Sequence, residues 1–351
     1  MRKSFGALAL LAAIGVPASA TAALTSMSNL FVFGDSLSDG GNSGLVSKAA
    51  TGGAVTFPPP PYYNGQYSNG PVAVEYLWKS FNPGDNSFRP SLAGGTNYAI
   101  GGATSGLESY NSVNPNVPAF LQPAYAQKGN AWQLDAFAAQ NPVFNQTTSL
   151  FVVWLFPNDV FNWALTGNLP GTANGSPGGP GSASDLIGNG INNILTTVQT
   201  LAASGATHFL VPNMPDLGKT PSGAANAGLL TPLTASFNYN LKQGLTALDN
   251  ALTSVDIVQF DTFAELNKMI ADPGAYGFEN ATESCVDNLL NGRCNPDTWL
   301  FWDGAHPTTS ADALLASQFR AAVVPEPETY ALMAFGLLLI GYVARKRQKL
   351  G

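Results

Sequence analysis

The sequence predicts an α/β fold, a parallel sheet covered by helices on both faces. Two observations carry that expectation. Short apolar runs rich in β-branched and aromatic residues alternate with longer stretches of helical period. The apolar runs are also continuous, as in strands buried on both faces of a parallel sheet. No repeat of solenoid or propeller length interrupts the alternation.

In chain order the strands are expected at 29–33, 149–155, 208–211 and 255–260, with 97–100 a weaker fifth. Helices are expected at about 130–140, 184–203, 232–253, 261–271 and 308–322. Within 232–253, Leu233, Phe237, Leu241, Leu245 and Leu248 recur at three- and four-residue steps, the stripe by which a helix covers a sheet. Two long loops remain, 48–70 and the Gly/Pro/Ser-rich 164–184. The first is expected to border a substrate and the second to be merely flexible. Ligands of such sheets bind beyond the carboxyl ends of the strands. Ser36 and Asn158 each follow the end of an expected strand.

The 351 residues suffice for one large or two small domains. Hydrophobic residues make up 45% and charged ones 11%, which excludes a disordered chain; 37 Gly and 25 Pro imply many loops. Net charge is −7, and six of the 15 basic residues lie at the two ends, so the body is acidic and no nucleic-acid partner is expected.

Both ends carry address-like patterns. Arg2 and Lys3 precede an apolar run to about Val16, followed by Pro17-Ala-Ser-Ala20, the pattern of a secretory signal peptide, expected over 1–22. At the other end Val324-Pro-Glu-Pro327 leads into an apolar stretch over about 330–344 and then Arg345-Lys-Arg347. A spacer, a short membrane segment and a basic stop are what a transient or permanent anchor needs. This pattern resembles the PEP-CTERM sorting signal of Gram-negative bacteria, which implies an exosortase-type processing enzyme as partner. The organisation expected is therefore 1–22 signal peptide, 28–322 main domain and 323–351 sorting signal, with the product in the periplasm, at the cell surface or in the extracellular matrix. Cys285 and Cys294 are the only cysteines. Either they are free thiols or they close one short loop, and export to an oxidising compartment favours the disulfide.

Only two histidines are present. His208 opens an apolar strand and reads as structural. His306 lies in Trp302-Asp-Gly-Ala-His-Pro307, just before the last helix. A serine hydroxyl becomes nucleophilic only when an imidazole takes its proton, and the imidazole needs an anion to fix its tautomer. Ser36 in a strand-to-helix turn, His306 as base and Asp303 as anion supply that set. The Gly-x-Ser-x-Gly elbow of α/β-hydrolases is absent.

Four blocks then resemble the GDSL/SGNH hydrolase family over about 28–322. Phe33-Gly-Asp-Ser-Leu-Ser-Asp39 is similar to its nucleophile block, Asn97-Tyr-Ala-Ile-Gly-Gly-Ala-Thr-Ser105 to its second, Pro157-Asn-Asp159 to its third, and Asp303-Gly-Ala-His306 to its last. Pro61-Tyr-Tyr-Asn-Gly-Gln-Tyr-Ser-Asn-Gly-Pro71 and Val211-Pro-Asn-Met-Pro-Asp-Leu-Gly-Lys-Thr-Pro221 resemble the subgroup of lecithinase/haemolysin-like and plant GDSL lipases. The resemblance implies a flavodoxin-like three-layer α/β/α sandwich with about five parallel strands, the SGNH hydrolase fold. It implies Ser36, Asp303 and His306 as a triad, and an oxyanion hole of the Ser36 and Gly102 N–H groups (Gly101 as the fallback) and the Asn158 side chain. It implies hydrolysis of a carboxylic ester with no metal or organic cofactor; a lipid ester fits the subgroup, and an acylated polysaccharide fits the sorting signal. One position departs: the third block is usually Gly-x-Asn-Asp, and here Phe156 replaces the glycine. Its side chain could displace Asn158, narrow the acyl pocket or require a different turn. The alternative reading is a catalytically impaired surface protein that binds lipid or exopolysaccharide.

Overall fold

The computed structural model describes residues 24–324. The expected signal peptide and the apolar segment 330–344 lie outside them, and no helix among the described residues is long and apolar enough to cross a membrane. Strands β1 (Asn29–Gly34), β2 (Ser149–Trp154), β3 (His208–Pro212) and β4 (Asp256–Phe260) form one parallel sheet in the order β1-β2-β3-β4. The helices are α1 (Asn42–Ala50), α2 (Ala73–Phe81), α3 (Gln122–Tyr125), α4 (Asn130–Gln140), α5 (Pro157–Thr166) and α6 (Ala183–Ala203). After them come α7 (Ala227–Ala251), α8 (Thr262–Ala271), α9 (Cys285–Leu289) and α10 (Thr309–Val323).

The weaker fifth strand becomes an edge segment. Val32 donates to the Thr96 carbonyl at 3.1 Å, and the Tyr98 and Ile100 N–H groups donate to Val32 and Gly34 at 2.8 and 3.2 Å. Asn97 is shared between bridges to Val32 and to Pro90, which keeps the pairing too short for a full strand. Counting this edge, the order is 2-1-3-4-5, the flavodoxin-like arrangement, and its switch point lies between β1 and β2. Both strands therefore deliver their following turns to one crevice.

Alternate residues of each strand serve opposite layers, because successive side chains point to opposite faces. Leu30, Val32, Leu150, Val152 and Leu210 pack on Leu77 and Trp78 of α2 and Phe319 of α10. Phe31, Phe33, Phe151, Val153 and Phe209 pack on Phe137 of α4, Ile194 and Val198 of α6, and Phe237 of α7. Phe31 stacks on Phe151 at 4.7 Å, its register partner. Each fully buried phenylalanine contributes about 1.5–3 kcal/mol of transfer free energy. Helix α7 begins at Ala227, earlier than expected, with Pro232 inside it. The predicted stripe Leu233, Phe237, Leu241, Leu245 and Leu248 is its buried face.

The two loops differ from each other as expected in one respect and not in the other. The 51–72 loop does border the crevice, through Tyr67. The 167–182 stretch is tied down: Leu107 and Glu108 donate to the Pro170 carbonyl at 2.9 and 3.0 Å, and Asn193 donates to Gly171 at 3.0 Å. His208 is buried on β3, with Nδ1 3.9 Å from Asp256 on β4, and it does not line the crevice.

Cys285 and Cys294 are bonded, with Cα atoms 5.2 Å apart. The bridge packs α9 against Trp299, Trp302 and Tyr62. In the unfolded chain it closes a loop of about ten residues, worth roughly 2–3 kcal/mol by chain entropy. Reduction is expected to lower the melting temperature by about 3–5 °C in scanning calorimetry; an unchanged transition under reductant would refute this.

Candidate active site

The turn after β1 begins at Gly34, where a Cβ would press on the Trp154 carbonyl at 3.0 Å and on Ser38 at 3.1 Å. The Gln133 amide of α4 pairs with both Gly34 backbone groups, accepting at 2.9 Å and donating at 2.8 Å. Asp39 then caps α1: its carboxylate accepts from the N–H groups of Gly41, Asn42 and Ser43 at 2.8, 2.6 and 3.1 Å. The same carboxylate accepts from Gly101 at 2.9 Å, which fixes the second block against the first. Asn97 adds a bond from its amide to the Ser38 carbonyl at 2.8 Å. Asp159 of α5 anchors the third block by accepting from the Ser105 N–H and hydroxyl at 2.8 and 2.5 Å.

Ser36 thus lies at the crevice, 8% exposed. His306, from the turn before α10, comes to it across the whole sequence: Nε2 is 2.7 Å from the Ser36 Oγ. Nδ1 of His306 is 2.8 Å from Asp303 Oδ2 and 2.9 Å from Oδ1. The Ala305 and His306 N–H groups donate to Asp303 Oδ1 at 2.8 Å each, so the turn is folded around this carboxylate. Burial pulls the His306 imidazolium down, but the charge and hydrogen bond of Asp303, with the charge of Asp35, outweigh it and hold the imidazole above its ordinary 6.5. Burial likewise pushes Asp303 up, and His306 with the two N–H donors more than offsets it. Asp35, fully buried beside them, is pushed by burial up to about 6, against the Leu37 N–H and the His306 charge.

Ser36, Gly102, Asn158 and His306 line one cavity of about 340 Å³, with Tyr67, Tyr110, Asn114, Asn116 and Phe161 around it. Among the described residues neither the Ser36 nor the Gly102 N–H has an acceptor. The Gly101 N–H is already committed to Asp39 and to the Ser43 hydroxyl, both at 2.9 Å. Gly102 has φ +81, and a Cβ there would lie 2.5 Å from Asn111, so only glycine fits.

Residues 30–319 match the family model described as GDSL-like Lipase/Acylhydrolase. The chain belongs to the GDSL-like lipase/acylhydrolase family. It is an ester hydrolase. Residues 323–348 match the PEP-CTERM protein-sorting motif, a mark of exported proteins of Gram-negative bacteria. Among its relatives, GDSL esterase/lipase ENOD8 of Medicago truncatula is 25% identical, covering 80% of this chain and 86% of the relative. A GDSL esterase/lipase of Arabidopsis thaliana is 28% identical over 83% and 85%. The crystal structure of an acetyl xylan esterase aligns with a TM-score of 0.36 and 13% identity, over 84% of this chain and all of that one.

Against the GDSL pattern, Phe156 stands in a backbone conformation that favours glycine. Its φ is +116, a conformation that costs a non-glycine residue about 1–3 kcal/mol. Its ring is fully buried and leaves the cavity free, stacking on Phe237 at 3.6 Å and 5°. Gly190 of α6 makes the room, for a Cβ there would run into the Phe156 ring. Asn158 lines the cavity wall. Sequence reading passed over Gln133, the role of Asp39, and Tyr62, whose hydroxyl donates to Asp303 Oδ2 at 2.8 Å. Phe156→Gly is expected to relieve strain but empty a ring-sized site, a loss of about 3–5 kcal/mol, for a net destabilisation of roughly 1–3 kcal/mol. Esterase activity should persist. Urea unfolding checks the first statement, and a gain in stability would contradict it.

Proposed function

We propose that the chain is an exported serine esterase acting through an acyl-enzyme. The observation that carries the reading is the 2.7 Å approach of His306 Nε2 to the Ser36 hydroxyl, beside a cavity with two uncommitted backbone N–H groups. In this reading Ser36 Oγ attacks the ester carbonyl while His306 takes its proton. Asp303 holds Nδ1–H and stabilises the imidazolium. The negative charge that develops on the carbonyl oxygen is met by the Ser36 and Gly102 N–H groups and the Asn158 amide. His306 returns its proton to the departing alcohol, and the same residues activate water to release the acid.

The surroundings differ on the two sides of Ser36. Towards Leu37, Pro215 and Ala305 the crevice shares its wall with an apolar recess of about 70 Å³, lined further by Leu266, Met269, Leu300 and Phe301. Towards α5 it carries Asn114, Asn116 and Tyr110. This supports a short acyl chain on the first side and a polar alcohol on the second. Rates across acyl lengths of p-nitrophenyl esters, beside acetate release from acetylated glycans and fatty-acid release from phospholipid, separate the glycan and lipid classes. The sorting motif and the signal-peptide pattern support delivery through the inner membrane, with the exosortase-type enzyme cutting near Pro325-Glu-Pro327.

The impaired-protein reading rested on Phe156 together with the sorting signal, and the course of the Phe156 ring, into the core and away from the cavity, counts against it. Ser36→Ala is expected to lower kcat by at least about a thousandfold on short p-nitrophenyl esters. Full activity in that variant would sink the nucleophile assignment. The base must be neutral to accept the serine proton. Because His306 is held above 6.5, kcat/KM should rise with pH through a midpoint higher than that of a free histidine. A pH–rate profile with its acid limb below 6 would contradict this.

A further inference from the structure

The motif over 61–71 does more than border the cavity; it clasps the turn that carries Asp303 and His306. The Ser68 hydroxyl is 3.2 Å from the Pro307 carbonyl and 3.1 Å from Asp312 of α10. Asn69 accepts from the Thr309 N–H at 2.8 Å, and the Thr309 hydroxyl donates to the Pro71 carbonyl at 2.9 Å. Gln66 reaches back to the Gly40 carbonyl at 3.0 Å, so one short loop bonds to the segments after Ser36 and after His306. The Tyr67 ring lies 5.1 Å from the imidazole.

Within that clasp Tyr62 touches the acid itself. The other donors to Asp303 are the Ala305 N–H, the His306 N–H and the His306 ring, all from the same turn. Among the described residues the Tyr62 hydroxyl is the one donor from outside it. Its ring is wedged edge-on against Trp302 at 5.9 Å, beside the disulfide-bonded α9. We propose that Tyr62 is the positioning residue for Asp303, the outer end of a hydrogen-bond chain Ser36–His306–Asp303–Tyr62. This inference rests on the triad reading given above.

Two effects follow from a phenol donating to Oδ2, which the imidazole also contacts. It fixes the plane of the carboxylate, and hence the imidazole that both of its oxygens hold. It also draws charge from Asp303, which moderates the field on His306. The charges that set this field are Asp303 on the same turn and Asp35 just after β1; the Tyr67 ring faces the imidazole from the clasp, and Asp287 of α9 acts on Tyr62.

Tyr62→Phe keeps the ring and removes only the donor. With two histidines in the chain, imidazole NMR can follow His306 directly. The variant is expected to lower kcat by about tenfold with KM unchanged, and to raise the His306 titration midpoint by about half a pH unit. Tyr62→Ala, which also empties the ring site, should lose stability in addition. A Tyr62→Phe protein with the parent's kcat and His306 midpoint, or one changed only in KM, overturns the proposal. Because the titration is read on the imidazole, a parent without esterase activity would defeat the triad reading separately, and the Tyr62–Asp303 coupling would still be decided by the midpoint.

Discussion

One hydrogen bond governs the architecture: a histidine from near the end of the chain must meet a serine from near its start at 2.7 Å, in a place shielded from water. In the proposed serine-esterase mechanism, a displacement of an ångström there would remove the proton acceptor and with it the nucleophile. Neither residue can hold this position alone. Ser36 stands on a turn braced by Gln133, Asp39 and Asn97, and His306 stands on a turn folded around Asp303. The sheet supplies the frame, since its switch point opens between the two strands whose following turns carry Ser36 and Asn158.

The bracing is done by carboxylates and amides that are themselves buried. Asp39 and Asp159 each accept from the backbone of another block, and burial pushes Asp159 up to about 7 despite the Ser105 donors. Burying such groups is unfavourable unless their bonds are made, so each tie is selective as well as cohesive: it is satisfied only when the blocks are in register. The same logic holds under α10, where Asp312 accepts from Ser68 and Ala73 and fastens the clasp to the last helix.

Phe156 shows how a local rule is broken without loss of the site. The backbone retains a glycine-like φ, and the strain is offset by packing the ring between Phe237 and the space that Gly190 leaves open. The direction of that ring, into the core and away from the ester, is what separates a tolerated departure from an obstructing one.

The sequence by itself determined the strands, because continuous apolar runs report burial on both faces, and the stripe of α7, because helical period reports one buried face. It also determined which chemical groups were available: one candidate base, an acid three residues before it, and a serine at a strand end. The edge position of 96–100 and the early start of α7 were not legible, since shared bridges and a tolerated Pro232 depend on neighbours far away in the chain. Gln133, Tyr62 and the course of Phe156 were decided only by tertiary structure. Their partners lie 99 and 241 residues away, or across two helices, and no local pattern encodes a contact made by the packing of separate layers.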